Sequence, residues 1–160
     1  MATTEYVINT TPDRVFAVLA DGWTYSDWVV GSAHIRYVER GFPSPGTAIH
    51  HKVGPWPLSV RDKTVAVDCE QDRMLLLRVG LWPWGAGRVH LSLTPVGADS
   101  TRVTMVEDFP EGPLRWLHTK LNDFALHWRN KESLRRLADL ATRRQSVHSG
   151  RCAPPGSAQP

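Results

Sequence analysis

A chain of 160 residues with 41% hydrophobic and 22% charged residues and a net charge of +3 has the make-up of a single globular domain with a real core. That composition excludes a disordered low-complexity protein, and no run approaches the ~20 apolar residues a membrane-spanning helix needs. The start, Met-Ala-Thr-Thr-Glu, leads straight into an alternating pattern and does not read as a signal peptide.

Taken in order, residues 5–10 (EYVINT) alternate apolar and polar, with Tyr6 and Ile8 on one face, and predict a strand. Thr11-Pro12-Asp13 is a helix start, with Thr11 as N-cap and Pro12 at the first helical position. Val15, Phe16, Val18 and Leu19 supply the buried face of that short helix, which stops near Asp21-Gly22. Residues 23–29 suit a second short helix that turns Trp23 and Trp28 inward.

Six strands follow, at 33–39, 47–53, 58–68, 73–81, 86–96 and 101–108, each bounded by Gly, Pro, Asp or Ser. Their connectors are short, so consecutive strands are expected to pair antiparallel. After Pro110-Glu111-Gly112-Pro113 the period changes. Leu114, Leu117, Leu121, Phe124 and Trp128 recur at three- and four-residue steps, and the helix runs to about Arg144. Beyond Lys131 the stripe moves to Leu134, Leu137, Ala138 and Ala141, roughly a third of a turn around the axis. The first half of the helix is therefore expected to roof the interior and the second to pack on the short N-terminal helices. Residues 145–160, ending RCAPPGSAQP, have the composition of a disordered tail, which leaves 1–144 as the domain. Cys69 and Cys152 lie far apart, and reduced thiols in a cytoplasmic protein are the simpler expectation.

This order of elements, with its local signatures, resembles the SRPBCC (START-related) superfamily and, within it, the bacterial polyketide cyclase/dehydrase-like branch. The resemblance is carried by residues 8–16 (INTTPDRVF) with Trp23 to Trp28 behind, by Pro45-Gly46-Thr47, by Leu93-Thr94-Pro95 with residues 100–104, and by residues 129–134 (RNKESL) with Leu137. It spans roughly residues 5–141; the Trp-Pro loops at 55–57 and 82–84 depart from it. The resemblance implies an α+β helix-grip fold. In it, a curved seven-stranded antiparallel sheet wraps around a long C-terminal helix, with two short helices after strand 1 and a ligand cavity between sheet and helix. It does not imply a reaction, because such folds host many functions.

Strand parity places the loops at 54–57, 81–85 and 109–113 at one end of such a sheet. Trp56, Trp82, Trp84, Phe109 and Trp116 gather there, either as the lid of a cavity or as a plug for the core. Glu107 shares the face of Val103 and Met105 and is a candidate general acid/base; the alternative is a wet strand end or pairing with a cation. His51 shares the face of Ile49 and could orient a carbonyl or phenol, or it is a satisfied structural group; His50 faces the other way. Val89, Leu91 and Leu93 point inward, and Arg88 and His90 outward. Arg73 and Arg78 lie on opposite faces of one strand. Leu117, Leu121 and Phe124 form an apolar roof, and the tryptophans at 23, 28, 116 and 128 are expected in the core, with Trp28 also a ligand contact.

No metal-ligand spacing, nucleophile motif or phosphate loop is present, so no metal or cofactor is expected. Three functions remain open. One is binding of a hydrophobic or aromatic small molecule, polyketide- or lipid-like. Another is a polyketide cyclase or dehydratase using Glu107 and His51 as acid and base. The third is an interaction module using Arg135, Arg136, Arg143, Arg144 and Arg151, a run that otherwise reads as a solvated helix end. A monomer or homodimer without nucleic acid and without stable membrane insertion is expected.

Overall fold

The computed structural model describes residues 2–53, 60–80, 86–108 and 120–143, with the side chains of residues 32, 33, 53, 60 and 120–125 outside the description. Alternating side chains become strands wherever they were expected, with ends shifted by up to three residues. The order is β1 (Ala2–Ile8), α1 (Pro12–Leu19), a 3-10 turn (Gly22–Thr24), α2 (Tyr25–Trp28), then β2 (Ser32–Val38) and β3 (Ala48–Val53). It continues with β4 (Val60–Glu70), β5 (Met74–Gly80), β6 (Ala86–Gly97), β7 (Ser100–Asp108) and α3 (Lys120–Arg143).

The strands form one seven-stranded antiparallel sheet in the order β1-β7-β6-β5-β4-β3-β2. Short connectors make sequential strands neighbours, while β1 reaches β7 across α1 and α2. Register shifts interrupt the β2–β3, β4–β5 and β6–β7 ladders. An extra residue in one strand of a pair bends it and increases twist, which curves the sheet. The curved sheet and the long C-terminal helix together make a helix-grip fold.

α1 begins as expected, since Pro12 has no N–H to leave unsatisfied. Thr11 occupies the N-cap position with extended backbone, yet its hydroxyl makes no capping bond. Val15, Phe16, Val18 and Leu19 are all buried against the sheet and α3. The next segment corrects an expectation. Asp21 accepts a hydrogen bond from the Trp23 amide at 3.1 Å and sets a tight turn that holds Trp23 outside, 56% exposed. Tyr25 takes the inward place, donating to the Leu19 carbonyl at 2.9 Å and packing on Trp28 and Phe42.

α3 packs on β1, α1 and α2, and buries Leu134, Leu137 and Ala141. Trp128, expected in the core, is 63% exposed. The buried Asn130 lies only two residues on, about 200° around the axis, so the two side chains leave the helix on nearly opposite sides. Cys69 is disulfide-bonded, which corrects the expectation of reduced thiols. The proposed tail, Arg144 and Arg151 lie outside the described residues. No described helix is long and apolar enough to cross a membrane.

Candidate functional site

β3 carries two histidines in sequence, and the pleat sends them to opposite faces of the sheet. His50 faces out, 2.8 Å from Glu39. His51 faces in and is only 7% exposed; its Nε2 shares a 2.9 Å hydrogen bond with Thr64 Oγ1 on β4. Thr64 pairs with Ile49 in the ladder and so lies diagonal to His51. His51 Nδ1 is buried with no hydrogen-bond partner among the described residues. Burial lowers the imidazole pKa, and His50 adds to this, while Asp62 opposes it.

Glu107, near the end of β7, is 6% exposed. Arg129 Nη2 donates to its two oxygens at 2.7 and 2.8 Å, and Asn130 Nδ2 donates to Oε2 at 2.8 Å. Of the readings open for this carboxylate, pairing with a cation is the one the geometry carries. One turn further along α3, Ser133 Oγ donates to the Arg129 carbonyl at 3.0 Å and accepts the Val30 amide at 3.1 Å. The polar face of α3 thus ties β7 to the link between α2 and β2.

Between these two groups lies a cavity of about 160 Å³. Of the residues singled out in the sequence, Trp28, His51, Val89, Leu91, Met105 and Glu107 line it. Its walls lie toward the sheet end formed by Val53, Val60, Gly80, Ala86 and Asp108. Ile49 and Val103 are buried but are not among the lining residues. Each sits two positions deeper on its strand than His51 or Met105, and Ile49 packs beside Gly22. Trp56, Trp82, Trp84 and Leu117 lie outside the described residues, as do the side chains of Leu121 and Phe124. The lid, plug and roof readings therefore fall there too. Arg73 and Arg78 are both exposed and neither lines the cavity.

Sequence reasoning missed Tyr25, Thr64, Leu77, Arg129, Asn130 and Ser133 as lining residues. For Asn130 and Ser133 a signal existed. Asn130 and Ser133 stand at helical spacing from Leu134 and Leu137, where the apolar stripe was read as merely shifting; they fill the gap with buried polar groups. Among the described residues no three His, Cys, Asp or Glu gather to hold a metal ion. The cationic run of α3 is largely ion-paired: Glu132 engages Arg135 and Arg136 at 2.8 Å each, and Asp139 engages Arg135 at 3.1 Å.

With this geometry established, the relatives of the chain fall into place. A family model described as polyketide cyclase / dehydrase and lipid transport matches residues 1–142, and the chain belongs to that family. Zhui aromatase/cyclase from Streptomyces sp. R1128 is 14% identical over 89% of this chain and 93% of its own, with a TM-score of 0.65. Truncated norcoclaurine synthase from Thalictrum flavum is 13% identical over 89% and 93%, with a TM-score of 0.62. A protein from Rhodobacter sphaeroides is 19% identical over 86% and 90%, with a TM-score of 0.66. At such identities the likeness is one of fold. No curated protein matches the chain.

Proposed function

We propose that this protein binds a small, mainly apolar molecule, aromatic or polyketide-like, in the cavity between the sheet and α3. The observation that carries this reading is the lining itself: Trp28, Leu77, Val89, Leu91 and Met105 form an apolar wall, with His51, Glu107 and Arg129 among the polar groups set into it. An apolar concavity with a few placed polar side chains is the usual form of a small-molecule site. Membership in a family of cyclases, dehydrases and lipid carriers supports the same reading. Native mass spectrometry of protein purified gently from its own host tests it. A discrete bound mass, released on denaturation, is the expected result. An empty protein that also binds no member of a panel of aromatic polyketides and lipids would remove the proposal.

One observation favours a second reading, in which the bound molecule is also transformed by cyclisation or dehydration. His51 is a buried imidazole whose neutral form is favoured and whose Nδ1 has no partner among the described residues. A neutral imidazole at the wall of a binding site is suited to accept a proton. Glu107 is less suited to that role, because Arg129 and Asn130 already engage both of its oxygens. On this reading His51→Gln abolishes turnover of a bound substrate while leaving its affinity within a few-fold, and Glu107 serves to position Arg129.

A further inference from the structure

Resting on the reading of the cavity as a ligand site, we propose that the Glu107–Arg129 pair sets the charge of the ligand: the site selects a neutral oxygen acceptor, such as a ketone or phenol, and rejects a carboxylate of the same skeleton. Arg129 lines the cavity, and its side chain is 36% exposed while that of Glu107 is almost fully covered. The guanidinium is only partly used. Nη2 reaches Glu107 and Asn130, and Nε reaches Asn130 Oδ1 at 3.3 Å. Nη1 makes no hydrogen bond among the described residues, and its N–H donors can serve a ligand.

Charge then decides what those donors accept. Glu107 cancels the charge of Arg129 at 2.7 Å, and Asn130 is neutral. Across the cavity His51 is disposed to its uncharged form by burial. The polar groups facing a ligand therefore offer hydrogen-bond donors with no net positive charge. A neutral carbonyl or hydroxyl oxygen gains a charge-assisted bond from Nη1 without bringing a charge out of water. A carboxylate at the same point makes the group net negative beside Glu107 in a mainly apolar cavity, where an unbalanced charge is costly.

The experiment uses three probes of one skeleton: naphthalene, 2-acetylnaphthalene and 2-naphthoate, titrated calorimetrically against the full chain at neutral pH. The ketone is expected to bind about tenfold tighter than either of the others, tenfold being one decade of Kd. In Glu107→Gln the arginine charge is no longer cancelled, and naphthoate is expected to gain about tenfold relative to the ketone. Arg129→Lys, which keeps a cation for Glu107 but loses the planar fork, should cut the advantage of the ketone over naphthalene. Naphthoate binding as tightly as the ketone to the wild-type chain would overturn the inference, even should either variant fail to fold. So would equal binding of all three probes, or a ketone-to-acid ratio that a folded Glu107→Gln variant leaves unmoved. Binding without discrimination sinks this inference alone, whereas no binding by any probe sinks the ligand-site reading together with it.

Discussion

The chemistry of this molecule is concentrated in two buried polar side chains that face one cavity under different constraints. Among the described residues the His51 ring has Thr64 as its hydrogen-bond partner, and burial disfavours its charged form, so its folded pKa lies below the ordinary 6.5. The unfolded chain therefore takes up a proton at this residue before the folded chain does. Stability is unaffected by this group above about pH 6.5 and declines as pH falls below it, levelling only once the folded imidazole also titrates. We expect the urea midpoint of the wild-type chain to drop between pH 7.5 and 5.5, and His51→Gln to flatten that drop. A wild-type midpoint unchanged or higher at pH 5.5, or an identical slope in the variant, would contradict the assignment.

Among the elements, α3 shows how a single helix serves several surroundings. Asn130 and Ser133 interrupt its buried face and connect it to β7 and to the link after α2, while Leu134 and Leu137 complete the core. Trp128 leaves the opposite side. Leu134→Ala is expected to cost about 2–5 kcal/mol, and Trp128→Ala no more than about 0.5 kcal/mol, despite the larger side chain removed. The turn before α2 offers a steric counterpart. A Cβ on Gly22 would come within 2.8 Å of Val38 and 3.0 Å of Ile49, so Gly22→Ala is expected to destabilise by about 1–3 kcal/mol through overpacking. Equilibrium denaturation of the three variants checks both statements.

For the whole molecule, the Glu107–Arg129–Asn130 cluster joins sheet to helix between residues 22 apart in the chain. Removing its centre leaves a guanidinium and an amide short of an acceptor. Glu107→Ala is expected to cost about 2 kcal/mol, below the figure for a fully buried pair because Arg129 is partly exposed. Glu107→Gln, which keeps one acceptor oxygen, should cost less. A double-mutant cycle with Arg129→Met measures the coupling directly; no coupling would show that the cluster does not join the two elements energetically.

Much of the architecture was legible in local pattern. Turn residues and period-two alternation marked the strands, and alternation gave the inward faces of His51, Leu91, Met105 and Glu107, because the pleat leaves a side chain no choice but one face or the other. Pro12 marked the start of α1, and the change of period beyond Pro113 marked a long C-terminal helix, described from Lys120 to Arg143. The site was less legible. That Glu107 would meet Arg129 and Asn130 depends on how far α3 slides and rotates over β7, a relation that no local periodicity encodes. The exposure of Trp23 and Trp128 has the same origin: a tryptophan is apolar wherever it stands, and only the Asp21 turn and the rotation of α3 determined which side it faced. Strand faces were thus settled by the chain alone, because they follow from geometry within a few residues. The polar end of the cavity was settled by tertiary structure, because it is built where two distant elements meet.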